Sequence, residues 1–319
     1  MSDLRGKLEE LKILAARSNV DIAAELEAVG RKLPAATPQD EAWKRVELAR
    51  HPDRPTTLEY AQRLFDDFIE LHGDRGYGDD LALVGGIGLL GGRAVTFFGH
   101  QKGRTMKDNL RRNFGMPHPE GYRKAQRLAR QAEKFGRPVL SFIDTPGAFP
   151  GVASEERGIS QAIAETMKLF SGLRTPVVAT VLGEGGSGGA IAIGIADVIL
   201  MMENAYYSVI TPEGCASILL RDASKARESA ALLKLTPKDL LGFRVIDRIV
   251  EEPPGGAHKD PARAAAALKA AIAESLEALE RKGLEVMLAD RHARFLGLGS
   301  FEEQETERRS VLKWIRDLF

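Results

Sequence analysis

Five glycines within seven residues constrain this chain more than any other feature: Gly-Glu-Gly-Gly-Ser-Gly-Gly at 183–189. The run joins a buried-strand pattern, Pro176–Leu182, to a short apolar helix pattern, Ala190–Ala196. Glycines strip away side chains, so a ligand can approach the backbone N–H groups directly. Those groups would lie at a helix N-terminus, where unpaired donors and the helix dipole favour negative charge. The charge is either a resting phosphate or an oxyanion that forms only during a reaction.

A dinucleotide is the first reading. Gly183, Gly185 and Gly188 spell GxGxxG after a strand pattern, and Glu203 follows at the end of another strand pattern, VILMM. Only seven residues separate Gly189 from Asp197, about two helical turns, which is short for a crossover helix. A second loop extends the pattern. Val139–Ile143 reads as a strand, followed by Asp-Thr-Pro-Gly-Ala-Phe-Pro-Gly at 144–151 and a helix with Ile159, Ile163, Met167 and Phe170 at helical spacing. Asp-x-x-Gly after a strand suggests the magnesium-side loop of a nucleotide triphosphatase, but the chain contains no GxxxxGK[ST]. Two strand–glycine loop–helix units therefore follow one another, and neither carries the rest of a nucleotide site.

GHQKGR at 99–104, RRNFGMP at 111–117, IDTPGAFPGVASEERG at 143–158, GEGGSGGAIAIG at 183–194 and SVITPEGCASIL at 208–219 occur in this order, with GGAHKDP at 255–261 beyond them. On these segments the chain resembles the carboxyltransferase alpha subunit of bacterial-type acetyl-CoA carboxylase, over residues 43–268. The resemblance implies an α/β fold of the crotonase type, a spiral of repeated ββα units with N- and C-terminal helical extensions. The divisions it suggests are a helical extension at 1–40, a carboxyltransferase domain at 41–293 and a C-terminal helix at 294–319. It implies transfer of the carboxyl group from carboxybiotin, held on a biotin carboxyl carrier protein, to acetyl-CoA, giving malonyl-CoA for fatty acid synthesis. It also implies a beta subunit bearing a zinc ribbon, an alpha2beta2 assembly with a shared active site, and a biotin carboxylase that uses the ATP of the complex. No metal is expected on this chain.

Such a transfer asks for charge stabilisation more than for proton-transfer residues. Loss of carbon dioxide from carboxybiotin leaves negative charge on the ureido group, and deprotonated acetyl-CoA is an enolate. Preorganised backbone donors suit both, and losing one commonly costs about 3 kcal/mol. By resemblance, Gly188 and Gly189 are the oxyanion donors facing the ureido oxygen. Gly185, Gly186 and Ser187 would shape the turn, Ala190 would start the helix, and Gly147 and Ala148 would line the same pocket. Two alternatives stay open. A stand-alone crotonase-type acyl-CoA hydratase would pair carboxylates as acid and base, and Glu184, Glu155 and Glu156 lie in or beside the loops. An NAD-binding oxidoreductase has the lesser claim.

Between Lys102 and Lys124 seven Lys/Arg residues face two acids, Asp108 and Glu120, a local charge of +5 on a chain of zero formal charge. This suggests an anionic partner: CoA phosphates, carboxybiotin or an acidic carrier domain. Lys102, Arg104, Arg111 and Arg112 stand among glycines and turns and are the binding candidates, whereas Arg123 and Lys124 read as a solvated helix face. No nucleic-acid-binding motif accompanies the charge. Cys215, the single cysteine, reads as a small buried thiol, because no histidine spacing supplies it with a base. One cysteine, no eighteen-residue apolar stretch and a charged N-terminus point to a cytoplasmic protein off the membrane.

The remaining pattern is mostly helical to residue 50, with Leu4, Leu8 and Leu11 on one stripe and a break at Pro34 and Pro38. Thr56 and Glu59 have capping-box spacing and predict a helix through about Leu71 that turns Leu64, Phe65, Phe68 and Ile69 inward. Leu81–Leu90 and Ala94–Gly99 read as a hairpin about Gly91-Gly92. Helices are expected at Pro119–Phe135, at about Pro261–Lys282 and at Phe301–Phe319.

Overall fold

Glycine pairs and buried β-branched runs assemble one eight-stranded mixed sheet, whose first six strands neighbour one another in chain order while the seventh lies beside the fifth and the eighth beside the sixth. The computed structural model describes residues 37–299, so the N-terminal leucine stripe and the expected 301–319 helix lie outside the described residues.

α1 (Pro38–Ala49) starts at Thr37, which forms a capping box with Asp40. The capping box at Thr56 and Glu59 opens α2 (Thr57–Leu64). The helix then stops short of its expected end. Phe65 is already extended, and Asp67–Glu70 forms β1, antiparallel to β2 (Leu83–Leu90). The reason lies in β2: a side chain on Gly86 would overlap the Ile69 carbonyl, and one on Gly88 would meet the Phe65 ring at 2.7 Å. Glycine clears a track there for β1. Strand alternation turns Phe68 toward the core and leaves Ile69 66% exposed, where a helix was expected to bury both.

β2 and β3 (Arg93–His100) close through Gly91 (φ 57°) and Gly92 (φ 78°), the two positive-φ positions of a tight hairpin, as the sequence predicts. After the short α3 (Met106–Arg111), α4 (Pro119–Lys134) lays Tyr122, Ala125, Leu128 and Ala132 on the core and ends before Gly136 in the left-handed region. β4 (Val139–Thr145) is buried along its whole length, as interior parallel strands are. α5 (Val152–Glu156) and α6 (Ile159–Ser171) follow, with Ile159 and Phe170 buried and Ile163 and Met167 packed against the core.

β5 (Val177–Gly186) runs four residues further than expected, so Gly183, Gly185 and Gly186 are strand rather than turn. Its first half pairs with β6 (Val198–Met202) and its end with β7 (Tyr206–Ser208), through Glu184↔Tyr206, Gly185↔Tyr207 and Gly186↔Ser208. Any larger residue than glycine at 185 would strike the Tyr207 ring at 2.8 Å. α7 (Ser187–Ala192) therefore starts at Ser187, three residues before the expected Ala190. Two strands followed by a helix recur as β2–β3–α3 and as β6–β7 with α8 (Pro212–Cys215).

Beyond α9 (Ala226–Leu232) and α10 (Pro237–Gly242), β8 (Arg248–Val250) pairs with β6. α11 (Pro261–Glu280) packs on α2, and α12 (Leu284–Leu296) is held by Arg291, buried against Asp197. The expected domain divisions at 40/41 and 293/294 fall within α1 and α12. Among the described residues no helix is long and apolar enough to cross a membrane, and no group of three or more His, Cys, Asp or Glu side chains is placed to hold a metal ion.

Candidate active site

β3, β4 and β5 run parallel, so the segments that follow them meet at one end of the sheet, where open parallel sheets take their ligands. The two glycine loops come into direct contact there. A Cβ on Gly189 would lie 2.5 Å from the Gly147 carbonyl carbon and 2.7 Å from Ala148 N, and one on Gly186 would overlap the Pro146 carbonyl. Thr145 pins the second loop. Its hydroxyl accepts the Gly147 N–H at 3.1 Å and donates to the Gly147 carbonyl at 2.6 Å. Phe149 N–H donates to the Pro117 carbonyl. Between these two tied donors, the Ala148 N–H has no acceptor among the described residues.

On the other loop, Ser187 adopts φ 53°, a left-handed conformation that is strained for a residue with a Cβ. The sharp strand-to-helix turn leaves Ser187 exposed in the manner of a nucleophile elbow. No base serves it: among the described residues no histidine is hydrogen-bonded to Ser187. His118 is paired with Ser154 at 2.7 Å, and burial pulls the pKa of His100 down to about 3. The turn instead presents donors. Gly188 and Gly189 occupy the first turn of α7, whose N–H groups have no intrahelical partner, and no side chain caps them. Gly188 is partly open to solvent, while Gly189 and Ala190 are buried. With only six residues α7 sums a small dipole, so the individual donors carry the electrostatics.

Behind the loops lies a charged cluster. Lys102 Nζ donates to Asp144 Oδ1 at 2.7 Å and to Glu184 Oε2 at 2.8 Å. Arg50 Nε and the Tyr206 hydroxyl both donate to Glu184 Oε1, at 2.7 and 2.6 Å, and Arg50 also grips Glu213 with two nitrogens. Burial works against the Glu184 charge, but Lys102 and Arg50 outweigh it and hold its pKa down to about 2. Burial likewise opposes the Lys102 charge, and Asp144 and Glu184 keep the ammonium protonated. Arg50, Tyr206 and Glu213 carried no local sequence signal, because their partners lie far along the chain.

The expected cationic patch is largely neutralised. Arg104 is paired with Glu59 and the Pro52 carbonyl, and Arg112 with Asp108 and the Leu81 carbonyl. Lys124 is the correction: it is buried, bonded to Asp79 at 2.5 Å and to the Asp80 carbonyl at 2.9 Å, so it is no solvated face. Arg123 is half-buried and donates to the Arg157 carbonyl. Lys107 and Arg111 remain exposed, with no carboxylate partner among the described residues. The carboxylates do not form an acid–base pair either. Glu155 and Glu156 are exposed on α5 and share no hydrogen-bond partner with the buried Glu184. Cys215 is a buried free thiol, as the sequence suggests.

Comparison with known proteins gives a consistent answer. The family model described as acetyl co-enzyme A carboxylase carboxyltransferase-like matches residues 1–299. The acetyl-coenzyme A carboxylase carboxyl transferase subunit alpha of Thermus thermophilus is 53% identical over 302 residues, covering 93% of this chain and 97% of the relative. Among solved structures, transcarboxylase 12S shares the fold with a TM-score of 0.56 at 19% identity, over 78% of this chain but only 43% of its own. One chain of a Pseudomonas malonate decarboxylase hetero-dimer matches with a TM-score of 0.56 at 16% identity, over 81% of this chain and 95% of that one. The fold is of the crotonase type, as the sequence resemblance implied.

Proposed function

The chain belongs to the acetyl-CoA carboxylase carboxyltransferase alpha-subunit family, and from that premise we propose that it transfers the carboxyl group of carboxybiotin to acetyl-CoA, forming malonyl-CoA for fatty acid synthesis. The observation that carries the reading is the contact between the two glycine loops, which gathers the first-turn donors of α7 and the unpaired Ala148 N–H at one place.

In this reading Gly188 and Gly189 donate to the ureido oxygen, and Gly147 and Ala148 wall the same pocket. Carboxybiotin would release carbon dioxide, the electron pair passing to the ureido nitrogen and oxygen. That anion would take a proton from the acetyl methyl group, and the enolate would form the new carbon–carbon bond. This chain's part is to hold the developing negative charge with donors that neither titrate nor reorganise. Lys107 and Arg111 would meet anionic parts of the substrates or the carrier. Lys102, Arg104 and Arg112, already matched by acids of this chain, have less to offer.

A hydratase needs a carboxyl group able to pass a proton near neutral pH, and Glu184 is held ionised far below that range. A dinucleotide crossover is equally poorly served, because α7 has only six residues.

The proposed partner is a beta subunit with a zinc ribbon, in an alpha2beta2 assembly supplied by a biotin carboxyl carrier protein and a biotin carboxylase, in the cytoplasm. Val152 and Ile191 are exposed on α5 and α7, the helices that follow the two loops, Val209 is exposed directly after β7, and Ile218 and Leu219 are exposed further along the chain. This face would meet the beta subunit. The carboxyltransferase unit would span 41–293, with 1–40 and 294–319 as helical extensions.

The test is the reverse reaction, malonyl-CoA with biocytin, run with the purified chain and then with a zinc-ribbon beta subunit. Turnover only in the mixture supports the shared site. Turnover by this chain alone overturns the two-subunit assignment, and silence from a stable complex overturns the carboxyl-transfer reading.

A further inference from the structure

The backbone ladder between β4 and β5 fails just where the two glycine loops begin. Ile143 pairs with Val181, but the next pair is Thr145 with Gly185, so one residue of β4 faces three of β5. Asp144 and Glu184 both lie in this break. With the regular ladder interrupted, side chains hold the strands together instead. Asp144 Oδ1 accepts the Glu184 N–H at 2.9 Å, and Lys102 Nζ bridges Asp144 and Glu184 at 2.7 and 2.8 Å. The lysine stem reaches them past Gly115, whose φ of 77° suits glycine and whose Cβ would stand 3.0 Å from both Lys102 Cγ and the Asp144 carbonyl oxygen.

We propose that Lys102 is a positioning residue for carboxyl transfer: its ammonium clamps Asp144 to Glu184 and thereby sets the spacing of the Gly147–Ala148 and Gly188–Gly189 donors. Asp144 precedes Gly147 by three residues and Glu184 precedes Gly188 by four, so a shift at the clamp passes along a short backbone to each loop. Oxyanion donors lose effect when displaced by a fraction of a bond length, and the two carboxylates repel once the cation between them is gone. This inference rests on the proposed carboxyl-transfer site. It differs from the sequence expectation that Lys102 binds a substrate anion.

The test uses the complex with the beta subunit in the malonyl-CoA and biocytin assay. In Lys102→Met, kcat should fall about 100-fold while both KM values stay within about 2-fold of wild type. Adding Asp144→Asn keeps the acceptor for the Glu184 N–H and removes the unbalanced charge, so K102M/D144N should regain about 10-fold of the lost kcat. If Lys102→Met does not fold, the double variant against wild type carries the kcat and KM comparison. The clamp is overturned if Lys102→Met keeps its kcat, if it raises KM at constant kcat as a lost substrate contact would, or if the double variant is no better than the single one. A silent wild-type complex overturns the carboxyl-transfer reading instead, before any variant is compared.

Discussion

Gly189 and Gly147 meet backbone to backbone: a Cβ on Gly189 would stand 2.5 Å from the Gly147 carbonyl carbon, closer than real Cβ contacts come. Gly188, one residue earlier, has open space, its nearest neighbour being Ile163 Cδ1 at 3.5 Å.

Adjacent glycines in one turn should therefore respond differently. Gly189→Ala wedges the loops apart and should lower kcat by about 100-fold or more, the usual loss for a displaced oxyanion donor. Gly188→Ala keeps its N–H and its space, and should stay within about 10-fold of wild type. Steady-state kinetics of the two variants in the same complex decide it; equal losses would place the sensitive contact elsewhere.

Val209, 78% exposed directly after the β7 residue that pairs with Gly186, reports on the proposed beta-subunit face. Val209→Asp should leave the melting temperature of the isolated chain unchanged and weaken association with the beta subunit by about 10-fold or more. Titration calorimetry with the beta subunit measures it. An unchanged affinity would move the interface off this rim.

Glu184 gives an acid limit. Its pKa is lowered from the ordinary 4.5 to about 2, so its contribution to stability is present above 4.5 and is lost as pH falls toward 2. The shift corresponds to about 3 kcal/mol. In denaturant titrations, the stability gap between wild type and Glu184→Gln should be widest above pH 5 and should close as pH falls through that window. A gap independent of pH would mean that Glu184 acts through packing rather than charge.

Arg291 ties the distal helix down. All five of its N–H donors are used, on Asp197, the Phe170 and Leu173 carbonyls and the Thr175 carbonyl. Arg291→Met removes the partner of a buried carboxylate and should destabilise the protein by roughly 3–5 kcal/mol. Amide exchange should quicken in α12, while carboxyl transfer at 25 °C should hold. Arg291→Lys should rescue little, because an ammonium cannot reproduce the planar fork.

Much of the architecture was legible because its signals are local. The Gly91-Gly92 hairpin, the capping box at Thr56 and the stop of α4 before Gly136 each depend on residues within one turn of each other. The end of α2 departs from its local pattern for the complementary reason. Leu64, Phe65, Phe68 and Ile69 fit a helical stripe, and only the side-chain-free track over Gly86 and Gly88, about twenty residues away, pulls that segment into a strand. The glycine run likewise has the composition of a turn from end to end, yet pairing with β7 makes its first half strand.

By itself, then, the sequence determined the β2–β3 hairpin, β4, α4 and α11, where the two glycine-rich loops fall and which family the chain resembles, since each is encoded in neighbouring residues or in whole motifs. Only the tertiary structure decided what the charges do. Lys102 finds its partners at 144 and 184, Lys124 at 79, Arg104 at 59 and Glu184 at 50. A charge in sequence is a promise of attraction without a direction. Its partner is set by which strands lie side by side, and burial then makes an ion pair obligatory where solvent would have made it optional.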